Sequence, residues 1–459
     1  MRSRFSLLPT IFALAWPTML EQLMQTAVQY VDTAMVGSLG TEATAAVGST
    51  ATVNWLVGST VSAIGVGFLA FISRAIGANE LQKVKKASAQ AVLAVIAVGA
   101  FFTALTLSLS GFVPRWMQVD PAIRPIAAKY FFILYAPMLA RTASIIFGTV
   151  LRAAGDTRTP MRVGVVVNLV NVLLNFFFIY PTRRVSIFSL EIVIPGLGMG
   201  VIGAAVASAV AFVVGGVLIT LALFRHPTLS PKGHSIRPDR SILTPCLKVA
   251  LPNACQRFGT SLGYVAFAAM VNSLGDVSTA AHTIANTVES AFYIPAYGMQ
   301  TAAATLAGNA LGRKDRQGIY DLSKTLLAVE VCLMIVSGGL LFSLAPSMMR
   351  IFSRDADVIS LGATVLRMVA LSEPFYGVSI IIEGMLHGMG RTVMPFVTNV
   401  IGMWLIRIVC TFICIRFLSF GLISAWACMI AHNLMLCAVF LIYYASGRWN
   451  PLYKTEDSL

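Results

Sequence analysis

The sequence has little charge. Asp, Glu, Lys and Arg make up 11% of its 459 residues, whereas 57% are hydrophobic and the mean hydropathy is +0.80. Because soluble domains carry about 25% charged residues, this composition excludes an ordinary soluble protein. It predicts instead an integral membrane protein that crosses the bilayer many times.

Signatures of catalysis and of bound metal are also missing. No Gly-rich phosphate loop or HExxH-type zinc motif occurs in a convincing context, and no nucleophile–base pair stands out. We therefore expect neither an enzyme nor an organic cofactor. The seven cysteines lie in or beside apolar segments without metal-site spacing and read as small buried side chains: Cys246, Cys255, Cys332, Cys410, Cys414, Cys428 and Cys437.

Apolar stretches recur along the whole chain. Each is about 20 residues or longer, which is enough to cross a hydrocarbon core of about 30 Å. We predict an all-α integral membrane protein with about twelve transmembrane helices. The predicted spans are 10–37, 44–72, 86–111, 127–150, 160–181, 197–224, 244–272, 279–306, 322–349, 358–385, 394–417 and 421–445.

The net charge of +14 is concentrated in the loops that follow predicted helices 2, 4, 6 and 8. By the positive-inside rule, these loops and both termini are cytoplasmic. The charge therefore indicates orientation in a lipid bilayer, and we expect no nucleic-acid partner. We predict a multi-pass protein of the cell inner (plasma) membrane. Representative basic residues are Arg74, Lys83, Lys85, Lys86, Arg152, Arg158, Arg162, Arg225, Lys232, Arg237, Arg240, Lys248, Arg313, Lys314 and Arg316.

The chain is an internal duplication. LAWPTMLEQ (14–22) aligns with VALPNACQR (249–257), AMVGSLGTEATAA (34–46) with AMVNSLGDVSTAA (269–281), and VLRAAGDTRTP (150–160) with MLHGMGRTVMP (385–395), all at a shift of 235. Near the end the shift falls to 221, so the first half carries about 14 extra residues around TRRVSIFSLEIVIP. A constant shift over so long a stretch predicts two similar halves.

The duplication predicts the domain organisation. Six helices per half is an even number, so both halves have the same orientation and are related by an axis along the membrane normal. We assign residues 1–225 to an N-lobe, 226–241 to a cytoplasmic linker, 242–446 to a C-lobe and 447–459 to a C-terminal tail. In transporters built from repeats the substrate site lies between the repeats, which makes alternating access the leading mechanism.

The first predicted helix has a polar face. Glu21, Gln25, Gln29 and Asp32 share one side of a helix with about 3.6 residues per turn. A carboxylate at bilayer depth costs a few kcal/mol, so Asp32 is expected to face a wet cavity or a partner. The alternative is a polar stripe that only holds helices together.

A second polar face lies on the fifth predicted helix. Asn168, Asn171 and Asn175 are spaced three and four residues apart and share one side. With Asp32 they would form a hydrogen-bonded site for a proton or a cation, with sodium at Asp32 as a possible metal. The alternative is again simple helix–helix attachment.

Several segments together resemble one transporter family. DTAMVGSLG, GANELQKVKKA, LRAAGDTRTP, GMGVIGAAVA, AAHTIA and GNALGRKD, in this order, resemble the multidrug and toxic compound extrusion (MATE) family over nearly the whole chain. The resemblance implies a two-lobed, twelve-helix, cation-coupled antiporter that exports cationic amphipathic compounds. It also implies that Asp32 binds the coupling ion or controls its site, with Asn171 and Asn175 as polar partners. The glutamate of helix 7 in several sodium-coupled members has no counterpart here, because Gln256 and Thr260 stand in that helix.

The eighth predicted helix adds an acid and aromatic rings. Asn286, Glu289, Tyr293 and Tyr297 share one face, and Asn54 is the repeat equivalent of Glu289. An acid with two aromatic rings suits an amphipathic cation. The alternative is a Glu289 that pairs with Arg257 or Arg407. Glu289 and Glu373 are the candidate replacements for the missing helix 7 glutamate, whereas Glu330 and Glu383 read as structural or solvated.

We therefore expect a cation-coupled antiporter, with a proton favoured over sodium, that exports cationic amphipathic drugs or toxic small molecules as a monomer. The predicted substrate cavity contains Glu21, Gln25, Gln29, Asn54, Gln256, Asn286, Glu289, Tyr293 and Glu373. The alternative is a flippase for lipid-linked oligosaccharides or other anionic lipids, for which Arg141, Arg257 and Arg407 would hold a pyrophosphate.

Overall fold

The computed structural model describes residues 7–117, 119–187 and 190–453. The first half contains α1 (Leu8–Gly37), α2 (Thr41–Gly77), α3 (Leu81–Leu109), α4 (Val113–Trp116), α5 (Arg124–Tyr135), α6 (Met138–Ala153), α7 (Arg158–Phe178) and α8 (Gly200–Arg225). The second half contains α9 (Arg240–Asn272), α10 (Asp276–Gly312), α11 (Arg316–Phe352), α12 (Ala356–Ala370), α13 (Glu373–Gly388), α14 (Val393–Ile401), α15 (Cys410–Arg416) and α16 (Leu422–Ala445). A π-helical stretch, Gly402–Val409, joins α14 to α15.

The helices agree in number and order with the predicted spans. Within the described residues, seven helical segments are long and apolar enough to cross a membrane, and two bent helix pairs would bring this number to nine. Three further helices, α1, α9 and α10, have 30, 33 and 37 residues and are long enough but more polar. These three helices contain most of the polar candidate residues, and these residues lower their mean hydropathy.

Both bent pairs have a proline at or beside the break. α5 and α6 meet at 48°, with Pro137 between them, and α12 and α13 meet at 53°, with Pro374 at the start of α13. Proline lacks the amide that would continue the helical hydrogen bonds and is disfavoured inside a helix. Each pair therefore covers one predicted span, 127–150 and 358–385.

The extra residues of the first half form a β-hairpin, which the sequence analysis did not predict. β1 (Pro181–Ile187) pairs antiparallel with β2 (Leu190–Leu197), with Ile187 opposite Leu190 and Arg183 opposite Ile194. The backbone runs from the end of α7 through the hairpin to α8. The hairpin places Arg183 over the ring of Phe176 near the end of α7.

The chain folds into two compact units. The first-half unit consists of Leu20–Phe68 and Leu81–Leu243, and the second-half unit of Met1–Met19, Leu69–Glu80 and Thr244–Leu459. The unit boundaries therefore fall inside α1 and α2. In the second-half unit, the start of α1 packs into a buried core with α10, α13 and α16, through Ile11, Leu14, Ala15, Met299, Ile381 and Leu436. The lobe boundaries assigned from the sequence stay a prediction.

The predicted linker is attached to α3. The buried side chain of Gln90 donates to the carbonyl of Arg237 at 2.8 Å and accepts from the amide of Asp239 at 3.0 Å. Leu229 is fully buried. Asp239 in turn accepts from the amide and hydroxyl of Ser241 at the start of α9, and these bonds hold the pKa of Asp239 below its usual value.

The beginning of the predicted tail is buried. Trp449 has no exposed surface and stacks on Tyr444 with ring centroids 4.9 Å apart, and Tyr320 meets it edge-on at 5.4 Å. Arg391 donates to the carbonyl of Arg448. The C-terminal segment is thus part of the core of the second-half unit at least as far as Asn450.

Large apolar side chains cover much of the surface. Leu251, Leu371 and Ile442 are 66%, 69% and 71% exposed, and many other leucine, isoleucine and phenylalanine side chains are similarly placed. Soluble monomers rarely show extended apolar patches, because water disfavours them. The hydrocarbon of a bilayer would cover these side chains.

Candidate functional site

The strongest polar site of the first-half unit is centred on Asp32. Asn175 of α7 donates from Nδ2 to Asp32 Oδ1 of α1 at 2.6 Å. One turn earlier, Asn171 satisfies both ends of its amide when its nitrogen donates to Asp32 Oδ1 at 2.9 Å and its oxygen accepts from Ser208 of α8 at 3.0 Å. The carboxylate of α1 is therefore bonded by two amides of α7, one of which is bonded in turn to α8.

The Asp32 site is polar but only partly closed. Asn171 and Asn175 are 6% and 1% exposed, whereas Asp32 itself is half-buried. The two amides stand one turn apart on α7, and this spacing lets both reach one carboxylate. Asn175 Oδ1 is buried without a partner among the described residues. The site can hold a proton on the carboxylate, or a cation between carboxylate and amide oxygens.

Asn168 does not join this hydrogen-bond set. Its Nδ2 is buried and has no partner among the described residues. Within the described chain, no group of three or more His, Cys, Asp or Glu side chains is arranged to hold a metal ion. Any metal at Asp32 would therefore depend on one carboxylate and amide oxygens.

Glu21 is engaged in an ion pair. Arg152, in the last turn of α6, lies with its Nη2 2.7 Å from both carboxylate oxygens of Glu21. Glu21 is 8% exposed, whereas Gln25 and Gln29 are exposed. The predicted polar face therefore divides into a buried ion pair, two exposed amides and the Asp32 site.

Arg141 is also engaged. It donates to Asn54 Oδ1, and its guanidinium lies 5.0 Å from the ring centre of Phe212 and 6.0 Å from that of Tyr135. A guanidinium stacked on rings and bonded to an amide is satisfied without a ligand. Asn54 therefore positions an arginine in the first-half unit.

A cavity of about 620 Å³ lies beside the Asp32 site, between α1, α7 and the start of the hairpin. Its walls are mainly apolar, and Arg183 lies 4.2 and 4.4 Å from the ring centres of Phe176 and Tyr180. This cavity could not be predicted from the sequence, because the hairpin that carries Arg183 was not predicted. The lining residues are Val31, Met35, Val172, Phe176, Tyr180 and Arg183.

In the second-half unit, tyrosine rings surround the acidic candidates. The ring centre of Tyr293 lies 5.5 Å from Tyr297 and 6.1 Å from Tyr376, and the hydroxyls of Tyr297 and Tyr376 are 3.2 Å apart. Glu289 and Glu373 are 7% and 1% exposed. Tyr376 was missed because it lies on α13, a turn from Glu373 and far in sequence from α10.

Glu289 and Glu373 are buried without an ion pair among the described residues. Among the described residues, Glu289 forms none with Arg257 or Arg407, and both carboxylate oxygens of Glu373 lack a hydrogen-bond partner. Arg407 lies over the rings of Tyr264 and Phe267, at 4.8 and 4.4 Å. Asn286 is exposed and forms no side-chain hydrogen bond in this part of the structure.

Glu330 and Glu383 were interpreted from the sequence as structural or solvated acids. Glu330 is fully buried with both oxygens unpartnered among the described residues, so it is not solvated. Glu383 accepts from Gln256 at 2.8 Å and from Asn399 at 3.1 Å, and this polar cluster includes His387 and Arg257. Gln256 therefore belongs to a network that links α9, α13 and α14.

The two halves of the repeat differ in the residues that occupy equivalent positions at their polar sites. At the shift of 235, Asp32 corresponds to Phe267, so the second half has no carboxylate at that position. Asn54 and Arg141 correspond to Glu289 and Tyr376. The first half thus has an acid with amides, and the second has acids with phenol rings.

Comparison with known proteins agrees with this picture. The family model MatE matches residues 17–177 and 252–413. The probable multidrug resistance protein NorM of Thermotoga maritima is 27% identical over 439 residues, which are 96% of this chain and 92% of that protein. The multidrug resistance protein NorM of Aliivibrio fischeri is 25% identical over 405 residues, which are 86% and 84% of the two chains.

Solved structures share the fold. A crystal structure of MATE in complex with MaL6 superposes with a TM-score of 0.89 at 21% identity, and the match covers 97% of each chain. An outward-facing conformation of a multidrug resistance MATE family transporter matches with a TM-score of 0.88 at 21% identity, over 97% of this chain and 96% of that one. The all-α membrane fold predicted from the sequence is confirmed.

Proposed function

The chain belongs to the MatE family, whose model matches both halves, and from this premise we propose that it is a cation-coupled antiporter that exports cationic amphipathic drugs or toxic small molecules by alternating access. Two relatives that match over most of the chain are named as multidrug resistance proteins, which supports the substrate class. The observation that carries the proposal is the Asp32 carboxylate, held by Asn171 and Asn175 and still partly open.

The coupling ion binds at Asp32 in this proposal. The two amides donate hydrogen bonds to the Asp32 carboxylate, and binding of a proton or another cation removes its charge. If the ion and the drug favour different charge states of Asp32, they shift the conformational equilibrium in opposite directions. The protein can then exchange one for the other across the membrane. Coupling requires only that the affinity for one depends on the other.

A proton is favoured over sodium by the donor set. Hard cations are held by several oxygen ligands at once. At Asp32 the two facing amides present nitrogen donors to the carboxylate, and such donors do not bind a metal ion. A proton needs only the carboxylate oxygen itself.

The tyrosine cluster of the second-half unit is the proposed contact for the cationic part of a substrate. Ring faces attract organic cations, and this attraction is worth about 2 kcal/mol where water is excluded. The ring centre of Tyr293 lies within about 6 Å of those of Tyr297 and Tyr376. Glu289 precedes Tyr293 by one turn on α10. Glu373, on α13 with Tyr376, adds a second acid.

The anionic-lipid flippase receives less support. That function needs arginines free to bind phosphate, whereas Arg141 is held by Asn54 and aromatic rings, and Arg257 donates to Asn253 at 2.9 Å. Arg407 is stacked on two rings.

The test is efflux of a cationic dye from proteoliposomes under a proton gradient or a sodium gradient imposed separately. We expect the proton gradient alone to drive efflux in the wild type, and Asp32→Asn to abolish it. Asn168→Ala is the matched control, because this neighbour on α7 makes no bond to Asp32. Drive by sodium alone would refute proton coupling, and an active Asp32→Asn would refute the assigned site.

Orientation and assembly complete the proposal. We place the protein in the cell inner membrane as a monomer, with both termini cytoplasmic, because the positive charge lies in loops on that side. A reporter fused after residue 459 that is active only in the cytoplasm would support this orientation. A reporter active only outside the membrane would reverse it.

A further inference from the structure

A polar network at the end of α13 contains a histidine. His387 Nε2 lies 3.0 Å from Asn253 Nδ2 of α9, and Arg257 Nε donates to Asn253 Oδ1 at 2.9 Å. Glu383 Oε1, one turn before His387, lies 3.6 Å from the same imidazole nitrogen. His387 is 6% exposed, so water does not replace these contacts.

The bond from Arg257 determines the proton on His387. An arginine can only donate, so the atom of Asn253 that faces it must be the amide oxygen. The amide nitrogen then faces His387 and donates to Nε2, which must be the nitrogen without a proton. His387 is therefore neutral in this arrangement, with its proton on Nδ1.

Glu383 can accept a hydrogen bond from His387 when the imidazole is protonated. A protonated His387 carries hydrogen on both nitrogens and repels the amide nitrogen of Asn253. Glu383 Oε1 is then the nearest acceptor, at 3.6 Å, about half an ångström beyond the usual hydrogen-bond distance. The ring needs only a small movement to exchange one partner for the other.

The charged and titratable groups near the imidazole of His387 lie on α9, α10 and α13. Burial of the ring opposes a positive charge at His387 most, Glu383 on α13 favours it, and Arg257 on α9 opposes it. On α10, the hydroxyl of Tyr297 faces both Arg257 and Glu383. On α14, Asn399 contributes only a neutral amide, which donates to Glu383.

The duplicated half shows what is special about this position. At the shift of 235, His387 corresponds to Arg152 and Gln256 to Glu21. In the first half these positions form a permanent ion pair, Arg152 with Glu21. In the second half the permanent cation is replaced by a side chain that can gain or lose its charge.

We propose that His387 is a proton-binding site separate from Asp32, and that its protonation moves the hydrogen bond of Nε2 from Asn253 to Glu383. A proton from water binds the lone pair of Nε2, the Asn253–His387 bond opens, and an imidazolium–carboxylate pair forms within α13. One of the side-chain bonds between α13 and α9 is thereby lost, whereas the bond from Gln256 to Glu383 remains. The attachment of α9 to α13 becomes sensitive to pH.

The experiment is an NMR titration of the full-length protein in lipid nanodiscs, with ¹⁵N-labelled histidine and His387→Gln to assign the signal. From about pH 8 to pH 5 we expect His387 to change from a form with an unprotonated Nε2 to one with both nitrogens protonated. Glu383→Gln should weaken proton binding at least about tenfold, because it removes a charge-assisted acceptor. Asn253→Ala should strengthen it several-fold, because it removes the bond that favours the neutral form.

Two outcomes would overturn the proposal: a proton on Nε2 at pH 8, or a His387 that stays neutral down to pH 5. Asp32→Asn should leave the titration unchanged, which separates this site from the proposed coupling site. If dye efflux is absent but His387 titrates as described, the antiporter proposal fails and the proton site stands.

Discussion

The Glu21–Arg152 ion pair gives the sharpest prediction about stability. Glu21→Gln keeps the shape of the side chain but removes the carboxylate charge that faces Arg152. Removal of one partner of a buried pair costs about 3–5 kcal/mol. The side chain of Arg152 retains 18% exposure and can draw on water, so we expect the lower end, about 3 kcal/mol. With an unfolding entropy of about 2.1 cal/mol/K per residue, this corresponds to a fall of about 3 °C in apparent Tm when the 459 residues unfold together.

The assay is a double-mutant cycle in detergent, followed by thermal unfolding at one heating rate. Arg152→Gln should destabilise by a similar amount, whereas the double variant should lose much less than the sum, because no lone charge remains. The matched control is Gln25→Ala, an exposed neighbour on α1, which should leave Tm unchanged. An unchanged Tm in Glu21→Gln with weaker dye binding would refute this reasoning and place Glu21 in the substrate cavity.

Three further results are expected. Trp449→Ala should destabilise the second-half unit by about 3–5 kcal/mol, because it empties a fully buried site, as seen in thermal unfolding. Gln90→Ala removes two bonds to the linker, each worth about 1 kcal/mol, and should speed proteolysis of the linker about tenfold or more. Burial holds the pKa of His226 below its usual value, although Asp156 acts in the opposite direction, so the folded linker favours the neutral ring. Stability should therefore fall as pH drops below about 6.5, and His226→Gln should flatten this dependence in the same proteolysis assay.

The sequence predicted the helices because the signal for each was local. Long apolar runs, the repeat and the basic loops fix where the chain crosses a bilayer, and the observed helices follow the predicted spans within a few residues at most ends. The hairpin at Pro181–Leu197 was missed because its pairing joins residues across a turn and leaves no apolar run. The same insertion had been recognised only as extra length.

The candidate site was predictable where one residue dominated. Asp32 is a carboxylate in an apolar helix, and the spacing on α7 pointed to Asn168, Asn171 and Asn175, of which only Asn171 and Asn175 bond to it. Partners distant in sequence were not predictable. Nothing local indicates that Glu21 pairs with Arg152 across 131 positions, or that Arg257 sets the proton on His387 through Asn253.

The two units also bear on how the duplicated gene can be divided. The second-half unit contains Met1–Met19 and Leu69–Glu80, although both come from the first copy of the repeat. Residues 242–459 expressed alone would lack Ile11, Leu14 and Ala15, which fill the core around Met299. The second copy thus depends on the first for part of its core. A protein split in the linker should assemble only when both fragments are made together, and a circular permutant should tolerate new ends in the linker better than new ends within α1.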